Sequence, residues 1–524
     1  MKHRYLLISL LFISVLLHSC APSKRIAVTS QQLENHKAAI AQADLLFLQG
    51  SYLSLKRANE IYKNQIDFPA VSAIDKKKFL KTSILLALRQ FELGIVGRDY
   101  LDEAEQRVSV DTTLSEYALY TRAVRSILDY TVGMSKSDAI EESQLSRYLD
   151  WIKDNASGLN EKMKKSAPYD VFFAYLYIAV NEYLSYWIED KPNYESLKSI
   201  FTDYPLIQFK LSIFPEVDQT GLEQLITKVP DFWEAYQFLG HIELMQGKTL
   251  AAERLFLQAY SQIPNSTAII LSLTRIYFLL EEYDRCLEFN EKVLNLTPSN
   301  RDALLGKAIS LSILGRNEAA KTACRKLIEL GKYYIGEAYY WLGWNENELK
   351  NFEGAWENVE KAKNYLIGHH ELHFLSGIIS FEMNDLKRSD TEFREALKLN
   401  PGYCDANYYI GSIYAKKESW KESGDSYEAS SRCSNSQESA IRNKIEEIEN
   451  SDFSKDRKAK HINRRKVQLV TIRLSRATAA YNAAASFHNA DLKQKALVMA
   501  KEAAKHPNFK KQSEELIERI KLLK

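Results

Sequence analysis

Residues 233–266 read WEAYQFLGHIELMQGKTLAAERLFLQAYSQIPNS, and residues 370–403 read HELHFLSGIISFEMNDLKRSDTEFREALKLNPGY. Laid over each other, they share small residues at the eighth place (Gly240, Gly377), small residues at the twentieth (Ala252, Ser389) and a Phe-x-x-Ala step near the end (Phe256 and Ala259, Phe393 and Ala396). The same register runs through residues 231–438. With position 1 at Trp233, Thr267, Arg301, Gly336, His370 and Cys404, the intervals are 34, 34, 35, 34 and 34 residues. Position 8 is Gly240, Thr274, Ala308, Gly343, Gly377 and Gly411; position 20 is Ala252, Cys286, Ala320, Ala355, Ser389 and Ser423. Small side chains at two such places let the helices of a hairpin approach closely, where larger ones would hold the backbones apart. Position 7 is apolar in Leu239, Leu273, Leu342 and Ile410, with Lys307 and Ser376 as exceptions. Pro264, Pro298 and Pro401 at position 32 stop the second helix. A fixed period of this size means stacked helix–turn–helix units, none able to bury its apolar face alone.

Tyr236, Leu239, Gly240, Ala252, Phe256, Ala259 and Pro264 in the first unit resemble the signature of the tetratricopeptide repeat (TPR). The third unit departs most, with Lys307 and Lys332 at signature positions. The resemblance covers about two-fifths of the chain. It implies an all-α, TPR-like α-solenoid, a right-handed superhelix of antiparallel helix hairpins. It also implies a groove lined by the first helices, at positions 2, 5, 9 and 12. Those positions place Gln237, His241, Arg275, Phe278, Tyr340, Trp344, Phe374 and Tyr408 on a partner-binding surface, with Leu271, Ile378 and Glu382 beside them. Aromatic and aliphatic groups interleaved with a few charges suit an extended peptide or a partner helix.

The chain opens with Lys2 and Arg4 before an apolar run over residues 5–17, too short to span a membrane stably. It ends in Leu17-His18-Ser19-Cys20, which resembles the lipobox of bacterial lipoproteins, with His18 departing from the usual small residue. The resemblance implies a signal peptide over residues 1–19, lipidation of Cys20, and a tether to residue 32. Ala21 rather than Asp after the Cys favours the outer membrane, with the protein facing the periplasm. Several acyl chains at roughly 0.8 kcal/mol per buried CH₂ make such an anchor effectively permanent.

Outside the six units the period weakens. Residues 33–230 read as a degenerate helical-repeat region. Its opening hairpin has Ala43 and Leu55 in the roles of positions 8 and 20, and helical segments follow near 76–93, 113–130, 137–153, 169–188 and 194–202. The aromatic segment (Phe172, Phe173, Tyr175, Tyr177, Tyr183, Tyr186, Trp187) reads as core packing. Residues 439–469 read as a charged helix or linker, and residues 470–524 as a hairpin with Ala484 and Ala496 twelve apart, closed by an amphipathic capping helix. Gly 19 and Pro 11 in 524 residues are few, which agrees with a helical array.

A formal net charge of +2 offers no global field for nucleic acid. The dense basic run at 457–466 (RKAKHINRRK) reads as a solvated face, with an acidic partner or anionic lipid headgroups second. No glycine-rich phosphate loop, nucleophile elbow or paired-CxxC site is present, so neither an enzyme, a cofactor nor a resident metal is expected. In His369-His370-Glu371-Leu372-His373 the Glu is not adjacent to the first His, and His373 takes a packing position. Cys404 and Cys433, at positions 1 and 30 of the sixth unit, lie at the same end of an antiparallel hairpin, and an oxidising compartment permits a disulfide between them. Cys286 and Cys324 fall at helix-packing positions.

The function expected is a membrane-anchored scaffold or adaptor lipoprotein that binds other cell-envelope proteins or peptides. The alternative is a solute- or glycan-binding lipoprotein, or an accessory subunit of a transport system. The partner, the envelope pathway and the oligomeric state stay open at this level.

Overall fold

The structure, a computed structural model, describes residues 28–95, 99–135, 142–184, 188 and 191–522, with backbone alone for 130–135 and 142–149. Cys20, the signal segment, Tyr186, Trp187 and the last two residues lie outside the described residues. The described residues are helices and turns, without a strand. No described helix is long and apolar enough to cross a membrane. The chain is an all-α, TPR-like array of antiparallel hairpins, with degenerate hairpins towards both ends.

The period is written in the helix starts. First helices begin at Trp233, Thr267, Arg301, His370 and Cys404, and at Ile335, one residue before position 1 of the fourth unit. It is written equally in the backbone of the turns. Position 15 is Gly247, Glu281, Gly315, Lys350, Asn384 and Glu418, and each adopts a positive φ, between 56° and 76°. The next amide bonds back to the carbonyl five residues earlier, as in Glu282 N to Tyr277 O (2.8 Å), Arg316 N to Leu311 O (2.8 Å) and Asp385 N to Ser380 O (2.8 Å). This arrangement satisfies the orphan carbonyls of the first helix and turns the chain into the second. The one 35-residue interval is absorbed at Gly331, Lys332 and Tyr334, which all have positive φ in the turn before the fourth unit.

Position 8 glycine is required by position 24. A Cβ on Gly343 would lie 2.8 Å from Val359, on Gly377 2.7 Å from Phe393, and on Gly411 2.8 Å from Tyr427. The small residue at position 20 tightens the same crossing: Ser389 and Ser423 donate to the carbonyls of Gly377 and Gly411, each at 2.9 Å. Cys286 and Cys324 are buried free thiols in these packing rows.

The chain divides into two compact units inside the first repeat: residues up to 246 with 255–268, and residues 247–254 with 269 onward. In the first unit, the opening hairpin is Ser30–Gln49 and Tyr52–Gln65, with Ala43 and Leu55 fully buried. The helices at Ala73–Glu92, Ala118–Ser135, Glu142–Ser166, Val171–Tyr183 and Tyr194–Ile200 overlap the five segments read from the sequence. Helices at Tyr100–Val110, Pro205–Ile213 and Gln219–Lys228, each of 11 residues or fewer, lie outside those segments. The aromatic helix is core, with Phe172 and Tyr175 fully buried.

That core also holds charges. Arg89 and Lys210 are fully buried, Arg89 pairing with Glu92 (2.9 Å) and Glu234 (3.1 Å), and Lys210 with Glu92 (2.5 Å) and Glu182. Tyr175 donates to Glu92, and the Tyr52 amide to Glu234 (2.5 Å). Burial works against the Glu92 carboxylate, but Lys210 and Arg89 outweigh it and hold it below the usual range. Burial dominates at Glu234, which is pushed up despite Arg89. Removing one member of such a network would leave an uncompensated charge, a loss of about 3–5 kcal/mol.

In the second unit the second helix of the sixth repeat does not stop where a repeat should. It runs from Trp420 to Glu449, and the next helix, Lys455–Asn489, returns antiparallel to it. The two pack along their length as a long hairpin. The C-terminal part of the returning helix is the first helix of a seventh repeat, with Ala484 and Ala496 fully buried and Asp491 at positive φ in its position 15. Lys510–Leu522 caps that repeat through Leu516 and Ile520, which join its apolar cluster.

Candidate functional site

The candidate site is the face lined by the first helices of repeats two to six, together with the long hairpin that accompanies it. The hairpin carries the basic run, and here the structure corrects the expectation of a solvated face. Arg457 bonds Glu282 (Nε to Oε1, 2.6 Å) and Glu253 (Nη1 to Oε2, 2.6 Å). His461, 5% exposed, lies 2.8 Å from the same Glu282 oxygen. Arg465 reaches Glu281 (2.7 Å), and Arg464 donates to the Glu281 carbonyl. Phe453 stacks on His461 at a centroid distance of 4.8 Å, with Arg457 over its other neighbourhood at 4.8 Å. Repeat two therefore receives the hairpin tip, and within this unit the chain closes a ring: repeats two to six, out along the hairpin, and back.

The receptor is a turn. Positions 15 and 16 are Glu281-Glu282 in repeat two, whereas the other units carry Gly247-Lys248, Gly315-Arg316, Lys350-Asn351, Asn384-Asp385 and Glu418-Ser419. Only the second turn offers two carboxylates in a row, a signal that was present in the sequence but had no visible partner. Burial alone would raise the Glu282 carboxyl; hydrogen bonds from His461 and Arg457 bring it down to about 2. Glu281 is likewise held below the usual range by Arg465, against its burial.

Of the residues expected on the groove, Tyr340 and Trp344 share one cavity of about 490 Å³ with Trp341, Tyr403, Glu348 and Glu371. Trp344 is half-buried and Tyr340 is 8% exposed. Tyr340 and Trp341 meet edge to face at 5.2 Å, and Trp341 and Trp344 are tilted against each other at 6.1 Å. Burial first, then Glu371, pushes the Tyr403 hydroxyl up to about 12 and raises that of Tyr340 further. Phe374 and Tyr408 border a second cavity of about 430 Å³ with Ile378 and Tyr409, closed on its other side by Leu474 and Thr478 of the hairpin. Phe374 belongs mainly to the packing between repeats five and six, clustered with Ala406, Ile410 and Ile413 and 4.4 Å from the Tyr403 ring. Arg275 and Phe278 are exposed on repeat two, Phe278 edge-on to Tyr283 at 5.9 Å.

In the first unit, His241 is exposed with its ring against Phe256 at 4.9 Å. Gln237 is buried, 6% exposed, and is corrected from a groove residue to a packing one. Trp341 and Tyr403 join the cavity from positions 6 and 34, which the repeat register does not assign to the groove, and Glu371 joins it from position 2.

Cys404 and Cys433 are joined in a disulfide with a Cα–Cα distance of 5.3 Å. It ties the start of repeat six to the point where its second helix leaves the repeat and becomes the hairpin. His373 bonds Glu392 (2.8 Å), which also takes Lys363 (2.6 Å), so this His serves a packing and ion-pair role.

No protein-family model matches the chain. Among curated proteins, the chain is 24% identical over 181 residues to the human protein O-mannosyl-transferase TMTC1, covering 33% of this chain. It spans 20% of that relative's length. Among solved structures, it is similar to a tetratricopeptide repeat protein from Parabacteroides merdae (15% identity, 52% of this chain and 98% of that one, TM-score 0.35). It is also similar to YrrB, a TPR protein with an unusual peptide-binding site (21% identity, 34% and 91%, TM-score 0.29).

Proposed function

We propose that the chain is a non-enzymatic scaffold that binds a protein or peptide along the face of repeats two to six, and that it is fixed to a bacterial membrane through lipid on Cys20. The observation that carries the binding reading is the cavity at repeat four. Tyr340 and Trp344, set apart by position in the repeat, open into one space with two further aromatic rings and two carboxylates. Half-buried aromatic groups in a concave site are the usual anchors of a protein interface, because each contributes much apolar area at little entropic cost. The ring closed by the hairpin implies that a long partner enters end-on or after the tip is released. The Cys20 reading rests on the lipobox-like ending at Leu17-His18-Ser19-Cys20, and the partners are then other envelope proteins.

The test is crosslinking in the native envelope with the wild-type chain and with Tyr340→Ala/Trp344→Ala. Discrete protein adducts that the double variant loses support the scaffold. Adducts unchanged by the substitution contradict the groove assignment. The absence of adducts, with thermal stabilisation by a sugar or organic acid, favours a solute-binding lipoprotein instead. Radioactive palmitate should label the chain and fail to label Cys20→Ala; undiminished label in the variant contradicts the anchor.

A further inference from the structure

We infer that the cavity at repeat four seats a cationic side chain, lysine or arginine, projecting from the polypeptide partner. The inference rests on the groove reading and specifies what the partner must present there. Four rings, Tyr340, Trp341, Trp344 and Tyr403, border the space, and the carboxylates of Glu348 and Glu371 join them. No lysine or arginine lines it. Aromatic faces carry negative potential, and beside carboxylates they make a site that rewards a cation and rejects an anion.

The rest of the chain sharpens the point. Partly buried rings elsewhere in the same unit already carry the chain's own cations: Lys416 over Phe381 (4.3 Å), Arg388 over Trp356 (4.4 Å), Lys361 over Tyr339 (5.6 Å) and Arg394 over Tyr414 (5.9 Å). Among the described residues, none sits over the four rings of this cavity. The hairpin tip supplies a precedent within the molecule, where Arg457 lies over Phe453 while bonding Glu253 and Glu282. The cavity at repeat four has the aromatic and acidic halves of that arrangement; His369 stands beside Glu371 (3.5 Å) and Tyr340 (5.7 Å), but the lysine or arginine has to come from outside.

The experiment uses the full chain labelled with fluorotryptophan. The Trp341 and Trp344 resonances are assigned by Trp341→Phe and Trp344→Phe and followed by fluorine NMR. The probes are the capped tripeptides Gly-Lys-Gly, Gly-Arg-Gly, Gly-Glu-Gly and Gly-Leu-Gly, and choline. The expected result is saturable shifts of both resonances with the lysine or arginine peptide and none with the glutamate peptide. Affinity should fall by roughly fivefold or more in Glu348→Gln/Glu371→Gln. Unchanged helical circular dichroism would exclude misfolding of that variant. Equal binding of the leucine peptide overturns the cationic assignment and leaves the groove reading standing. Shifts with choline alone overturn it in favour of a non-peptide cation. No shift with any probe overturns it too, while the crosslinking of Tyr340→Ala/Trp344→Ala judges the groove reading separately.

Discussion

Arg457 reaches Glu282 across 175 residues of sequence, its Nε 2.6 Å from Oε1. That contact closes the row of hairpins on itself: the turn of repeat two holds the tip of the hairpin that leaves repeat six. Glu282 takes His461 on the same oxygen and Arg285 at 3.6 Å on the other, so one carboxylate gathers three basic groups.

The pair should be strongly coupled. Glu282 is 5% exposed and Arg457 19% exposed, so removing one partner strands a charge in a mostly dry site. Arg457→Met or Glu282→Gln alone is expected to weaken attachment of the tip by about 2–4 kcal/mol, and the double variant by less than the sum. Amide hydrogen exchange over residues 450–466 reads this directly, while protection in the first helices of repeats three to five should not change.

Attachment should also depend on acid. The Glu282 carboxyl is lowered to about 2, so its contribution is complete above the ordinary carboxylate range and is lost as pH falls through the folded value. The tip should stay docked at pH 5 and release progressively between about pH 4.5 and 2. A pair of spin labels, one on the hairpin tip and one on repeat two, measures the distance. Release already at pH 6, well above that window, would contradict the role given to Glu282.

The Cys404–Cys433 bond closes a loop with a sequence separation of 29, for which chain entropy gives a stabilisation of up to about 3–4 kcal/mol. Exported protein should be lighter by two hydrogens than its reduced form in intact-mass measurement. Cys433→Ser should lower the melting temperature of the unit containing repeats two to seven.

Two positions of the repeat make opposite predictions. Gly377→Val places a Cβ within 2.7 Å of Phe393, so overpacking should cost about 1–3 kcal/mol. Lys350 holds a φ of 61° that glycine adopts freely, so Lys350→Gly should be neutral or stabilising by up to about 1 kcal/mol despite its greater unfolded freedom. Denaturant unfolding of the two variants checks both signs.

The hairpins were legible because period, helix start and close crossing are local. Gly377 against Phe393 is fixed by sixteen residues of sequence, and both ends of that contact recur in register. The left-handed position 15 was hidden because Glu281, Lys350 and Glu418, unlike Asn384, are not residues that favour a turn, and only their alignment in the repeat gives them away. The ring was not legible at all. Glu281-Glu282 and the run at 457–466 are each unremarkable alone, and charge pairing over such a separation leaves no periodic trace. The buried network failed to show for the same reason: Arg89, Glu92, Glu182, Lys210 and Glu234 come from helices whose spacing drifts. At the cavity of repeat four, Tyr340 and Trp344 stand at positions the register marks, while Tyr403 and Trp341 join them from positions it does not mark.

The central claim, that the face of repeats two to six binds a polypeptide, is tested most directly by placing a photo-crosslinking amino acid at Trp344 in the living cell, with the exposed Lys398 on a second helix as control. The account predicts discrete protein adducts from position 344 that are absent from position 398. Equal adducts from both positions, or none from 344 with the protein folded and exported, would contradict it.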